Sequence, residues 1–130
     1  MKVLGIGIDI IENKRIKNSI KNSKFINRIY STNELKQSSH SKDKIAYFSK
    51  RFAAKEAFAK ALGTGFRNNL NFKDIEIIND KMGKPYYSKT KKIEKAVQKN
   101  FKVKNFNCFL SISDEKEYST AFTIIQSIWS

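Results

Sequence analysis

The 130-residue sequence contains one cysteine, one proline, one histidine and one tryptophan, and it has no long apolar run. Each scarcity removes a class of protein. A lone cysteine, Cys108, can form neither an intramolecular disulfide framework nor a cysteine-based zinc cluster. Within Phe106-Asn107-Cys108-Phe109-Leu110 it reads as a buried thiol on a strand. A catalytic thiol needs a basic partner, and the single histidine, His40, lies in a polar stretch. Asp9 and Glu12 interrupt the apolar start of the chain, and no segment approaches the ~20 residues of a spanning helix. No signal-peptide pattern is present, so a cytoplasmic protein without membrane attachment is expected.

Acidic residues are also few, 12 against 26 lysines and arginines, which leaves a net charge of +14. Lysine supplies 22 of the basic residues, and Lys, Ile and Asn together fill 51 positions. That trio is what drift toward A/T-rich codons would produce, with the lysines as a solvated surface. The alternative is an acidic partner, because a field of this size steers anionic proteins or nucleic acids toward the surface. Charge alone does not choose between them. The length fits one domain, with 40% hydrophobic residues to build its core. A two-substrate site is hard to complete from so short a chain, which makes a site shared between subunits a natural solution.

Val3 to Ile11 is a β-branched, glycine-punctuated run that reads as a strand ending in Asp9-Ile10-Ile11-Glu12. Ile16 and Ile20 define a short helix over about 13–22, and Phe25, Ile26 and Ile29 another. Ser31-Thr32-Asn33-Glu34 is a capping-box pattern. The longest helical signal runs from about Lys44 to Leu62, with Gly63 as its stop. Ile75 and Ile77 alternate with Asp74 and Glu76 as in a half-buried strand, and Asp80 to Lys84 is turn chemistry before an extended Pro85-Tyr86-Tyr87. A helix near 89–101 precedes two closing strands, 106–113 and 118–126, paired antiparallel. Irregularly placed helices among such strands indicate a single α+β domain.

On the long helix, Ile45, Phe52, Glu56, Ala59 and Gly63 share one stripe at about 100° per residue, with Lys60 beside it. Glu56 is thus set in an apolar face, where an unpaired carboxylate needs a cation or several donors. Lys60, four residues on, is the simple helix partner; a metal is the other. Ala53, Ala54 and Ala57 keep the helix thin, so another backbone or a ligand could approach closely. Asp9 ends its strand on the face opposite Ile6 and Ile8 and is either a helix N-cap, with Asn13 competing for that position, or a second acid facing Glu56. Two carboxylates with waters suit Mg²⁺. Gly63-Thr64-Gly65 is either a helix stop or a turn whose N–H groups face an anion near Arg51. Gly83-Lys84-Pro85 is an ordinary turn or a bend against a planar ligand.

Taken in order, these segments resemble a known family. Gly5-Ile6-Gly7-Ile8-Asp9-Ile10-Ile11-Glu12 with Arg15-Ile16, the fifteen residues Arg51 to Gly65, then Asp74-Ile75-Glu76-Ile77 with Asp80 and Gly83-Lys84-Pro85, and finally Ser111-Ile112-Ser113 with Glu117-Tyr118 and Ala121, are similar to the successive signature blocks of holo-acyl-carrier-protein synthases. The resemblance implies the phosphopantetheinyl transferase fold, a mainly antiparallel sheet packed on one long helix and several short ones. It implies transfer of 4′-phosphopantetheine from coenzyme A to a serine of an acidic apo acyl carrier protein, in support of fatty acid biosynthesis, with adenosine 3′,5′-bisphosphate released. Asp9 and Glu56 would correspond to Mg²⁺ ligands, with Glu56 helping to deprotonate the serine and Lys60 stabilising the leaving phosphate. Arg51, Gly63, Thr64 and Gly65 would hold coenzyme A phosphates, and Gly83, Lys84 and Pro85 would border the adenine. The family's sites lie between subunits of a homotrimer. Arg15, and by looser carry-over Phe25, Arg28 and Ile29, would form the carrier-docking surface.

One position departs from the pattern. Asp114 stands where the family carries a phosphate-contacting histidine, and an aspartate there repels phosphate unless it is paired or turned away. Two other readings of the charge stand beside the enzyme: a basic nucleic-acid-binding module without catalysis, and a family member that binds carrier protein without turnover. The RRM pattern and zinc-finger spacing are absent, which argues against the first.

Overall fold

Two glycines in the first strand set how closely the two main layers meet. A computed structural model describes residues 1–64 and 70–128. In it, strand β1 (Val3–Glu12) lies directly against helix α4 (Lys44–Leu62). A Cβ on Gly5 would fall 1.9 Å from the carbonyl oxygen of Ala61, and one on Gly7 1.8 Å from that of Ala57. Only glycine on the strand and a small residue on the helix allow this approach. The thin helix expected from its alanines is thus used by a backbone, and the next inward-facing residue of β1 after Gly7 is Asp9.

The sheet has the order β1-β5-β4, with β4 (Phe106–Asp114) and β5 (Tyr118–Ser127), all antiparallel. Ile8 pairs with Phe122 and Asp9 with Ala121. Between β1 and α4 run three short helices, α1 (Asn13–Ser19), α2 (Ser23–Ile29) and α3 (Thr32–Ser38). A two-stranded hairpin, β2 (Ile77–Asn79) with β3 (Pro85–Tyr87), and helix α5 (Lys91–Phe101) complete the fold. Phe52, Phe58, Ile75, Val97 and Ile125 anchor a continuous core between helices and sheet. This is the expected α+β architecture, an antiparallel sheet on one long helix and several short ones.

Local chemistry explains most boundaries. Ser31 and Glu34 exchange both bonds of a capping box at the start of α3. Gly63 ends α4 at φ 81°, and its N–H bonds back to Ala59 and Lys60. Other expectations are corrected. Neither Asp9 nor Asn13 caps α1; the N-cap position falls on Glu12, without a side-chain cap bond. The Asn13 amide donates instead to the carbonyls of Glu115 and Lys116, and its oxygen accepts from Ser119. The strand expected at 74–77 begins only at Ile77, because Asp74 closes a 3₁₀ turn (Phe72–Asp74). Cys108 is half-buried rather than enclosed.

The outer face of the sheet is apolar and uncovered. Ile6, Ile8 and Ile10 are 57–67% exposed, and Phe122 on β5, paired with Ile8, and Phe109 on β4, paired with Ile124, are also exposed. This contiguous patch marks an interaction surface.

Candidate active site

Asp9, Glu56 and Lys60 come together where β1 crosses the last two turns of α4. Asp9 faces the helix because Ile8 and Ile10 point the other way, and the Thr120 hydroxyl fixes its backbone by donating to the Asp9 carbonyl at 2.8 Å. Lys60 does not form the simple helix pair with Glu56. Its Nζ donates to Asp9 Oδ1 at 3.2 Å and to the Ile8 carbonyl at 3.1 Å. Burial first, and then the Asp9 carboxylate, push Glu56 above the usual carboxylate range, while Lys60 and Arg15 pull it back. An open groove of about 390 Å³, lined by Ile8, Asp9, Ile10, Lys60 and Thr120, gives access to this edge.

A carboxylate whose ionisation is made costlier by a second carboxylate is suited to share a cation with it. Among the described residues no cluster of three His, Cys, Asp or Glu could hold a metal. Mg²⁺ does not require one, since it commonly binds one or two carboxylates and completes its shell with waters and substrate phosphates. The all-oxygen donor set of Asp9 and Glu56 fits it.

The remaining candidates separate into groups. Gly63 is exposed, but its N–H is committed to the helix stop, so the plain reading holds for that group; Thr64 follows half-buried, and Gly65 lies outside the described residues. Gly83, at φ 86°, sits in an exposed turn with Lys84 and half-buried Pro85. Asp80 organises that turn by accepting from the N–H groups of Met82 and Lys84, both at 2.9 Å. Arg51 differs from an open phosphate ligand. It is 4% exposed, stacked 3.7 Å above the Tyr47 ring, and its Nη2 is 3.5 Å from Asn79 Oδ1 beneath the hairpin. Asp114 is exposed at the end of β4, in the turn that Asn13 pins.

Of the docking residues, Arg15 and Arg28 are exposed. Phe25 is half-buried and stacks on Phe52. Ile29 is only 2% exposed and belongs to the core, so it supports α2 from beneath and leaves the docking set. His40 is exposed on the surface after α3. Sequence reading missed Asn13 as the clamp of the β4–β5 turn, a role that depends on a residue more than a hundred positions away.

Comparison with known proteins identifies the family. The family model of the 4′-phosphopantetheinyl transferase superfamily covers residues 5–123. The chain belongs to that superfamily. It is 60% identical over 126 residues to a holo-[acyl-carrier-protein] synthase of Pelagibacter ubique, covering 97% of this chain and 98% of that protein. Among solved structures, a holo-[acyl-carrier-protein] synthase from Neisseria meningitidis superposes with a TM-score of 0.87 at 36% identity, covering 96% and 99% of the two chains. A holo-(acyl-carrier-protein) synthase from Bacillus anthracis, solved in complex with CoA (3′,5′-ADP), gives 0.81 at 35% identity over 98% and 100%. These findings leave the alternative of a non-catalytic nucleic-acid-binding module unsupported. No helix among the described residues is long and apolar enough to cross a membrane.

Proposed function

We propose that this chain transfers 4′-phosphopantetheine from coenzyme A to a serine hydroxyl of an apo acyl carrier protein, in the cytoplasm, as a step that supplies fatty acid biosynthesis. The observation that carries the reading is the meeting of Asp9, Glu56 and Lys60 at one open edge of α4. In the reaction the serine oxygen bonds to the pantetheine-side phosphorus of the pyrophosphate. The bond from that phosphorus to the bridging oxygen breaks, and adenosine 3′,5′-bisphosphate leaves with the electron pair.

Glu56 and Asp9 would hold the metal, and Mg²⁺, when bound, would supply neutralisation of charge on the pyrophosphate. Glu56 accepts the serine proton, directly or through a water. Lys60 is positioned by the Ile8 carbonyl, and its ammonium stabilises the departing phosphate. The Gly83-Lys84-Pro85 turn borders the adenine, and Arg51 supports that border from below through Asn79.

The exposed face of Ile6, Ile8 and Ile10 is covered by further copies of the chain in a trimer, and the groove beside Asp9, lined by two of those isoleucines, then lies between subunits. Arg15, with Arg28, presents positive charge to the acidic carrier, and the Arg15 charge reaches Glu56. The test is to incubate the protein with apo carrier protein, coenzyme A and Mg²⁺. A gain of roughly 340 Da on the carrier, the mass of the transferred group, supports the reading, and an unchanged carrier mass removes it.

A further inference from the structure

Glu34 and Lys55 form an ion pair of 2.7 Å with both side chains fully buried, and the transfer chemistry uses neither. Lys55 immediately precedes Glu56 on α4, yet points about 100° away around the helix. Its Nζ donates to Glu34 Oε1, to the Phe72 carbonyl at 2.9 Å and to the Ile75 carbonyl at 2.5 Å. An ammonium has three donors, and each has a partner. Glu34 is equally occupied. Oε1 also accepts from the Ser31 N–H at 2.9 Å, and Oε2 accepts from the Ile77 N–H at 3.0 Å. The Tyr47 hydroxyl donates to the Glu34 carbonyl.

A buried ion pair is weak as a source of stability, because well-packed apolar residues of the same volume commonly do as well. What distinguishes this one is the backbone it holds. Phe72, Ile75 and Ile77 lie on the stretch that leads into β2, and among the described residues β2 pairs only with β3 in a two-stranded ribbon. Such a ribbon is marginal alone. The ion pair fastens its root to α4 at the residue next to Glu56. One turn earlier on the same side of α4, Arg51 reaches Asn79 at the other end of β2. The long helix therefore presents Glu56 and Lys60 to the reacting groups and Arg51 and Lys55 to the hairpin.

The geometry points to Glu34 and Lys55 as positioning residues for coenzyme A: their directional hydrogen bonds fix the hairpin that bears Gly83-Lys84-Pro85 at a set distance and register from Glu56. This rests on the proposed function, in which that turn borders the adenine. Apolar contacts alone would hold the hairpin near α4 but would not define where along it the nucleotide lies. Small misplacements of a bound group are costly, on the order of a hundredfold for about 1 Å.

The test compares the unaltered protein with the double variant Glu34→Gln/Lys55→Met, which removes both charges and leaves no buried ion alone. Coenzyme A affinity is measured by titration calorimetry, and the Michaelis constants for coenzyme A and carrier protein are measured separately. The expected result is a folded variant by circular dichroism, with coenzyme A Kd and KM raised about tenfold, carrier-protein KM unchanged and kcat within about threefold. A folded variant that binds coenzyme A as the unaltered protein does, or one that loses kcat alone, overturns the inference. Hydrogen exchange on the unaltered protein decides the matter independently of any variant: the Ile77 amide should be protected as strongly as core amides of α4. Ile77 exchange as fast as that of the turn at Met82 would overturn the inference as well. If the unaltered protein does not bind coenzyme A, the proposed function fails, and the exchange result still reports on the clamp.

Discussion

Lys60 Nζ lies 3.2 Å from Asp9 Oδ1, so the last turn of α4 is tied to the end of β1 across 51 positions of sequence. The nearer carboxylate in the chain, Glu56, four residues before Lys60, is left facing Asp9 without that lysine as its ion-pair partner. In the proposed function this division of labour would leave two acids for a cation and one ammonium for a leaving group.

Replacing Lys60 by Met is expected to lower kcat about a hundredfold or more, the usual scale for losing one electrostatic or proton-transferring group. The side chain is 56% exposed, so its pair with Asp9 contributes no more than about 1 kcal/mol to stability. Steady-state kinetics beside a thermal melt separate the two effects. An unchanged kcat would remove Lys60 from the chemistry.

The Gly7–Ala57 approach predicts a steep local penalty. In Gly7→Ala the new methyl would meet the Ala57 carbonyl at 1.8 Å, and a backbone atom cannot swing aside. A loss of about 3 kcal/mol or more is expected in urea unfolding, at or beyond the upper range for overpacking. Gly63→Ala is the control, with open space but φ 81°, and should cost about 1 kcal/mol.

The origin of these features explains how far the sequence could be read. Helix α4, its glycine stop, the α3 capping box and the closing antiparallel pair follow from local periodicity and cap chemistry, and the fold follows from them. The site was legible only through the resemblance: spacing on α4 favoured Glu56 with Lys60, because nothing local tells where Asp9 arrives. Gly5 and Gly7 bring it there, and their role depends on alanines some fifty residues away. Glu34 showed its cap but not its buried partner, since a capping glutamate normally stays in solvent. Ile29 illustrates the reverse error, because a residue beside exposed Arg28 on a short helix faces the core.

Burial pushes the Cys108 thiol up to about 12, with Lys89 opposing. A raised thiol pKa leaves little thiolate below it, so at pH 8 alkylation of the folded protein should be about a thousandfold slower than that of a free thiol. Iodoacetamide labelling followed by mass spectrometry measures this. Rapid labelling in the folded state would contradict the burial assigned to β4.

Ile6→Glu places a charge in the middle of the exposed sheet face, away from Asp9. Light scattering should report a trimer for the unaltered protein and a monomer for the variant, with transfer activity lost alongside the trimer. A variant that remains fully active as a monomer would show that one chain completes the site.

The most direct measurement is the mass of apo carrier protein after incubation with coenzyme A, Mg²⁺ and either the unaltered chain or Glu56→Gln. The unaltered chain is expected to add roughly 340 Da, and Glu56→Gln, folded as judged by circular dichroism, is expected to leave the carrier unmodified. No mass gain with the unaltered chain, or full modification by Glu56→Gln, would contradict the assignment of Asp9 and Glu56 as the centre of a phosphopantetheinyl transfer site.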